Sequence, residues 1–254
     1  MAKPDYALSL AECPADVAAA QRLRYAVFVE ELGSDGDFVD HADRREADGF
    51  DALCDHLILR DRARPAGDDV VGVYRLLTEE GAARAGGFYT EGEYDLAPVR
   101  SSGRRLLELG RSCLHRDYRG GAAMYEIWSG LAAYVEARGI ELMFGTASFH
   151  GTDLGALAEP LSWLHHNHLA PEAVRVRARP PGAVAMDILP AERIDRRRAV
   201  RAVPALLKAY LRIGGTVGEG AWVDRRFNTT DVCLLVNTVD FTARARAIYA
   251  RERA

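Results

Sequence analysis

The 254-residue chain has no long apolar run, and its hydrophobic stretches fall well short of the ~20 residues that cross a bilayer. Its first residues, MAKPDYALSLAECP, lack an apolar core, so we expect neither a signal peptide nor a transit peptide. The formal net charge of the chain is −4, which does not favour nucleic-acid binding. The composition is that of a globular protein, which we expect in the cytoplasm, with any contact with the inner membrane peripheral.

Cysteine is scarce, and no CxxC pair occurs. Cys13, Cys54, Cys113 and Cys233 lie far apart, and we expect them to be reduced and buried. No HExxH pattern or pair of cysteines accompanies the histidines at 165, 166 and 168, and the acidic run from Glu46 to Asp51 lacks the EF-hand pattern, so no metal site is expected. The absence of GxSxG leaves no basis for a serine hydrolase.

The hydrophobic pattern predicts a mixed α/β fold in a single domain, with a core over 1–150 and a C-terminal half over 151–254. Apolar runs predict strands at Tyr6–Leu10, His56–Arg60, Val70–Leu77, Leu106–Leu114, Leu142–Ser148 and Val232–Asn237. Helical spacing predicts a helix from an Asp16 N-cap to about Glu30, and others over Ala122–Arg138, Leu154–His166, Pro204–Leu211 and Phe241–Arg251. Residues 106–148 form a βαβ unit, which implies a parallel pair of strands.

The turn inside this βαβ unit is a candidate phosphate site. Arg119, Gly120, Gly121, Ala122 and Ala123 open the long helix. Glycines permit close approach of a ligand, and a helix N-terminus offers free N–H groups to phosphate. A coenzyme A or phosphopantetheine pyrophosphate would suit this turn, although a structural strand-to-helix turn also carries glycines.

Charged residues interrupt the apolar strand LLELGRSCL. Glu108 and Arg111 are expected on opposite faces of it unless Gly110 forms a bulge. A carboxylate here could accept the proton that an amine loses on attacking a thioester, or could form a structural ion pair.

Further candidates lie upstream. Arg24 and Phe28 are one helical turn apart and could line a pocket or simply pack. Arg75 is a lone charge within VVGVYRLL. In a long surface loop over residues 33–51, Glu46, Asp48 and Asp51 could hold an ammonium group or be solvated.

Together these residues resemble two related families. Four stretches are similar to the pattern of acyl-homoserine-lactone synthases: RLRYAVFVEELG, the acidic run from Glu46 to Asp51, VVGVYRLL and LELGRSCL. The resemblance is closer to bacterial L-ornithine Nα-acyltransferases of ornithine-lipid synthesis, through SCLHRDYR, SWLHHNHLAP and PALLKAYLRIGGTVGEGAWVDRRFNTTDVCLL. Haemolysin-like acyltransferase domains share the last stretch. Ser34 replaces the tryptophan usual in lactone synthases.

The resemblance implies a GNAT-like mixed sheet flanked by helices, with a C-terminal extension. It implies transfer of a 3-hydroxyacyl chain from acyl carrier protein, or coenzyme A, to ornithine or a similar amino acid, giving a lyso-ornithine lipid without a bound cofactor. Carried over residue by residue, it assigns the site to Arg24, Phe28, Asp48, Asp51, Arg75, Glu108 and Arg111. A lactone synthase, an acetyl-CoA-dependent acetyltransferase and a non-catalytic lipid-binding protein are the alternatives.

The run RIDRRRAVR is a candidate docking surface for the acidic carrier protein. At helical spacing Arg193, Arg197 and Arg201 would fall along one stripe. A solvated helix face is the alternative.

Overall fold

The computed structural model describes residues 3–119 and 121–238. The elements up to β7 are β1 (Tyr6–Leu10), α1 (Pro14–Arg24), a π-helical segment (Tyr25–Glu31), β2 (Val39–Asp40), β3 (Arg45–Glu46), β4 (Asp55–Asp61), β5 (Val70–Thr78), α2 (Glu79–Ala85), β6 (Tyr94–Asp95), α3 (Ala97–Arg100) and β7 (Leu106–Leu114). Then follow α4 (Ala122–Arg138), β8 (Leu142–His150), α5 (Ala158–His168), β9 (Arg177–Ala178), β10 (Ala183–Val184), α6 (Arg196–Ala202), α7 (Ala205–Arg212), β11 (Thr216–Val217), β12 (Ala221–Asp224) and β13 (Thr229–Asn237).

The described chain divides into two compact units. The first comprises the residues up to Gly87 together with Leu109–Gly139, and the second comprises Phe88–Glu108 together with the described residues from Ile140 onward. The expectation of one domain with a division near residue 150 stays a prediction.

In the first unit, antiparallel strands carry a helix-covered core. β1 pairs with β4, and β4 pairs with β5. Helices α1 and α4 both pack against β4 and β5. Leu23 of α1 packs with Ile58 and Val73, burying apolar surface that stabilises the unit. A Cβ added at Gly72 would lie 2.5 Å from Ile127 of α4, so glycine permits the close approach of helix and strand.

In the second unit, the start of β7 runs parallel to β8, from Leu106 opposite Leu142 to Glu108 opposite Phe144. β8 pairs antiparallel with β13, which also pairs with β11 and β12. The predicted parallel pair and the mixed α/β class are thus confirmed.

Helix α4 and strand β7 have the predicted bounds, and Gly139 ends α4 with a φ of 60°. The predicted helix from Asp16 to Glu30 is wrong in detail. Cys13 is the N-cap, the carboxylate of Asp16 instead accepts a hydrogen bond from the N–H of Glu12, and the chain turns π-helical after Arg24. The predicted helix over 241–251 lies outside the described residues.

Burial corrects the expectation for the thiols. No disulfide joins these four described residues, but only Cys113 and Cys233 are buried, whereas Cys13 is exposed and Cys54 is half-buried. Within residues 3–119 and 121–238, no helix has the length and apolar character needed to cross a membrane.

Candidate active site

Six charged side chains of the first unit form a closed ring, which we call the charged ring. Each carboxylate in it binds two arginines. In order around the ring, the members are Arg24, Glu46, Arg111, Asp48, Arg75 and Asp51.

Two of the three carboxylates in this ring come from the segment around β3. Glu46 accepts from Nε of Arg24 and, at 3.0 Å, from Nε of Arg111. Asp48 accepts from Nη2 of Arg111 at 3.0 Å and from Nη1 of Arg75 at 2.6 Å. Burial alone would raise the pKa of Asp48, but Arg75 and Arg111 hold that pKa below its usual value. Asp48 is therefore ionised at neutral pH.

Asp51 closes the ring. Its Oδ1 accepts from Nη1 of Arg24 at 2.6 Å and from Nη1 of Arg75 at 2.9 Å. Burial would raise its pKa, yet these guanidinium groups hold the pKa of Asp51 well below its usual range. Gln21 also donates to Asp51 Oδ2 at 2.9 Å, and His56 Nε2 donates to the Asp51 carbonyl oxygen at 2.9 Å. Burial lowers the pKa of His56, so its ring is neutral at pH 7.

The ring has a buried side and a more accessible edge. Arg24 and Glu46 are 1% and 0% exposed, whereas Arg111 and Asp48 are 11% and 16% exposed. The solvated-loop alternative is therefore wrong for the acids at 46, 48 and 51. Their oxygens bind guanidinium groups of the chain itself.

A distortion of β7 directs Arg111 to the ring. Arg111 has a φ of 50°, in the left-handed region that a non-glycine residue adopts only at a cost. The sequence analysis allowed for a bulge at Gly110, but Arg111 is the residue with positive φ. Its ion pairs with Glu46 and Asp48 hold this conformation.

Phe28 lies in the π-helical segment. It is half-buried and packs against a core cluster that includes Leu23 and Val27. π-Helical turns are frequent at functional sites. Its contribution to a substrate pocket stays a prediction.

Glu108 belongs to the second unit and is 4% exposed. Its Oε2 accepts from the N–H of Tyr89 at 2.8 Å, and its Oε1 accepts from the N–H of Thr90 at 2.6 Å and from the Thr90 hydroxyl. Glu108 therefore orders the start of the Tyr89–Gly92 turn as well as standing as the candidate base.

The predicted phosphate turn opens α4 as expected. Gly121 is the exposed N-cap residue, and no side chain caps this helix end. A Cβ added to Gly121 would meet no atom within 4 Å. The Ala123 side chain is fully buried, so this residue can meet a ligand only through its backbone. Gly120 lies outside the described residues.

The buried thiols are unsuited to nucleophilic catalysis. Burial raises the pKa of Cys113 to about 12, and burial also raises the pKa of Cys233 well above its usual value. A thiolate is the nucleophilic form of cysteine, so neither residue favours an acyl-cysteine intermediate.

The predicted arginine stripe is not continuous. Arg193 ends a short 3₁₀ helix, and α6 begins only at Arg196 because Asp195 caps it through the N–H groups of Arg197 and Arg198. Arg197 and Arg201 do lie on α6 and are exposed. Of the three arginines in the predicted stripe, only Arg197 and Arg201 therefore share a helix face.

The sequence did not indicate an acidic cluster in the second unit. Glu93, Asp224 and Asp231 are buried, with carboxylate oxygens within 4.8 Å of one another. They come from distant positions in the chain, and only folding brings them together. Tyr94 is fully buried beside them and donates to the carbonyl oxygen of Asp231 at 2.9 Å.

Comparison with known proteins agrees with this architecture. Residues 23–129 match a family model described as an acetyltransferase (GNAT) domain. An L-ornithine N(alpha)-acyltransferase of Rhodobacter capsulatus is 57% identical over 248 residues, covering 97% of this chain and 95% of that protein. One from Brucella abortus is 42% identical over 96% of this chain and 88% of its own length. The solved structure of an N-acyl amino acid synthase from uncultured soil microbes covers 94% of both chains at 11% identity, with a TM-score of 0.52, which shows a shared fold.

Proposed function

This chain belongs to the family of L-ornithine N(alpha)-acyltransferases, and we propose that it transfers a 3-hydroxyacyl group from a phosphopantetheine thioester to the α-amino group of ornithine. The product is a lyso-ornithine lipid. The observation that carries the proposal is the 57% identity to a relative of that name over 97% of the chain. The GNAT domain match supports the acyl-transfer chemistry.

The accessible edge of the charged ring suits an amino-acid acceptor. Asp48 and Arg111 present opposite charges there. Ornithine carries a carboxylate that complements a guanidinium, and a side-chain ammonium that complements a carboxylate. We assign the acceptor to this edge, and we assign to Arg24, Asp51 and Arg75 the role of holding the edge in place.

The transfer needs no covalent enzyme intermediate. The neutral α-amine attacks the thioester carbon, the C–N bond forms, the C–S bond breaks, and the thiol leaves with a proton. Glu108 is the proposed base that accepts the proton lost by the amine and passes it to the departing sulfur, which regenerates the carboxylate. The high pKa values of the Cys113 and Cys233 thiols favour direct transfer over a cysteine relay.

The donor pyrophosphate is assigned to the turn from Arg119 to Ala123. Valine at Gly121 is expected to raise the donor KM about tenfold or more, because its branched side chain occupies space where the donor approaches the helix N-terminus. A Cβ at Gly121 meets no protein atom within 4 Å, so the fold should tolerate the change. Steady-state kinetics with each substrate varied in turn checks this, with Gly121→Ala as a smaller step. A rise confined to the ornithine KM would reverse the placement of the two substrates.

We propose that carrier protein docks on α6. The Arg197→Glu, Arg201→Glu double variant is expected to lower kcat/KM for the carrier-bound donor about tenfold at low salt, because a positive surface attracts an acidic partner. The same acyl-CoA should react normally, and added salt should weaken only the carrier-dependent rate. The control is reversal of exposed Arg22 and Arg84. Equal losses with both donors would move the docking surface elsewhere.

The proposed reaction is cytoplasmic, with peripheral membrane contact when the lipid product leaves. Incubation with 3-hydroxyacyl carrier protein or 3-hydroxyacyl-CoA, and with ornithine, lysine, arginine or glycine, tests the function. Mass spectrometry should show acyl-ornithine as the main product. A product only with acetyl-CoA, a lactone only with S-adenosylmethionine, or acyl binding without turnover would each support a different function.

A further inference from the structure

Glu31 joins the π-helical segment to the turn that precedes α4. It is the last residue of that segment and is 14% exposed. Its Oε2 lies 2.8 Å from Nη2 of Arg119, and its Oε1 lies 3.4 Å from Nε of Arg116. One carboxylate thus contacts the arginine that begins the Arg116–Tyr118 turn and the arginine that follows this turn.

Arg119 is held at two points of its side chain. Nη2 is paired with Glu31, and Nε donates to the carbonyl oxygen of Leu114 at 3.1 Å. These two contacts fix the plane of the guanidinium group, which remains 47% exposed. Gly121, the N-cap of α4, follows only two residues later.

The backbone of this turn has its own anchor. The hydroxyl of Tyr118 donates to Asp61 Oδ2 at 2.6 Å, and the N–H of His115 donates to the carbonyl oxygen of Val71 at 2.9 Å. Loss of Glu31 would therefore release the arginine side chains while the turn itself stays in place. Glu31 governs side-chain orientation rather than the fold of the turn.

We propose that Glu31 is a positioning residue for the acyl donor, holding Arg119 ready to bind a phosphate group at the start of α4. The inference rests on the proposed donor site and adds a residue outside it. An arginine already oriented loses less side-chain entropy on binding a phosphate. The carboxylate would also repel the phosphate, so the sign of the effect of its removal tests the proposal.

Glu30 provides the matched control. It is the preceding residue of the same π-helical segment and pairs with Arg44, where the two side chains are 39% and 62% exposed. Glu30→Gln removes the same charge at nearly the same distance along the chain, without touching Arg116 or Arg119. Long-range charge effects should then be similar in both variants, and only Glu31→Gln loses the positioning contact.

The experiment measures coenzyme A affinity by calorimetry, and steady-state kinetics with acyl-CoA. Glu31→Gln is expected to raise the coenzyme A Kd and the donor KM about tenfold, with kcat and the ornithine KM unchanged. Glu30→Gln should match the wild type. Glu31→Asp, which retains the carboxylate, should restore part of the affinity and serves as the second variant if Glu31→Gln folds poorly. Unchanged or tighter binding in Glu31→Gln would overturn the proposal.

A double-variant cycle with Arg119→Ala tests separately whether Arg119 binds the donor and whether Glu31 positions Arg119. If Glu31 acts through Arg119, Glu31→Gln should have little further effect on coenzyme A affinity in the Arg119→Ala background. If Arg119→Ala alone leaves coenzyme A binding unchanged, the donor assignment itself is wrong. If Arg119→Ala weakens binding but Glu31→Gln does not, the donor assignment survives and the role of Glu31 is contradicted.

Discussion

Replacing Asp51 with alanine is expected to lower the free energy of unfolding by about 3–5 kcal/mol, because it removes one partner from a buried network of charges. Asp51 is 5% exposed, and it binds Arg24 and Arg75, which are 1% and 4% exposed. Its loss leaves those two guanidinium groups buried with fewer acceptors. The cost of burying the arginine charges then outweighs the contacts that remain.

Chemical denaturation followed by circular dichroism measures this change. The control is Asp43→Ala. Asp43 is 60% exposed, and its partner Arg45 is 35% exposed, so this ion pair lies at the surface. We expect little change in that variant. A loss of stability no larger in Asp51→Ala than in Asp43→Ala would contradict a structural role for the charged ring.

The lowered pKa of Asp51 predicts how acid changes the free energy of unfolding. The pKa of folded Asp51 is held well below its usual value, whereas the unfolded chain should titrate near 3.9. The unfolded state then binds the proton first, so Asp51 contributes its full stabilisation above about pH 5 and progressively less as the pH falls towards the folded-state pKa. The unfolding free energy of the wild type should fall more steeply below pH 4 than that of Asp51→Asn, measured by denaturation at each pH.

Replacing Glu108 with glutamine is expected to lower kcat about a hundredfold or more, because it removes the proposed proton acceptor with little change of shape. Glutamine retains one carbonyl oxygen for the hydrogen bonds from Thr90 and loses only the acceptor for the Tyr89 N–H, so the variant should fold. Single-turnover kinetics with ornithine and acyl-CoA measures the chemical step.

A variant of Glu91 tests whether Glu108 acts in catalysis or only supports the Tyr89–Gly92 turn. Its Oε2 accepts from the N–H of Phe88 at 2.8 Å, and it pairs with Arg100. Glu91→Ala removes the acceptor for the Phe88 N–H and the partner of Arg100, and therefore loosens the Tyr89–Gly92 turn without touching Glu108. A similar fall in kcat for both variants would mean that Glu108 acts only by ordering the turn.

Strands and helices with clear hydrophobic periods could be predicted from the sequence. The bounds of β7 and α4 were predicted correctly because an apolar run and a glycine C-cap define them locally. The π-helical segment could not be predicted, since its residues fit an α-helical pattern equally well. The burial of Glu46 and Asp51 was also missed, because a carboxylate-rich loop is usually solvated unless distant arginines neutralise it.

The individual members of the charged ring could be selected from the sequence, but their arrangement could not. Arg75 and Arg111 stood out as charges within apolar strands, and the family resemblance selected Arg24, Asp48 and Asp51. Glu46 was noted only as part of the acidic run that could hold an ammonium group or be solvated. Their pairing depends on tertiary contacts and on the positive φ of Arg111, which no local pattern signals. Glu31, in turn, lies in the run VEEL, where sequence alone gives no reason to prefer it to Glu30.

The proposed reaction acylates the α-amino group of ornithine and leaves its δ-amino group free, and isotope labelling distinguishes these two nitrogens. Ornithine labelled with ¹⁵N only at the α position is incubated with a 3-hydroxyacyl thioester and the enzyme, and the product is fragmented in a mass spectrometer. We expect the label in the amide nitrogen and an unlabelled free δ-amine. An unlabelled amide, or the absence of any acyl-ornithine with either carrier-protein or coenzyme A donor, would contradict the proposed function.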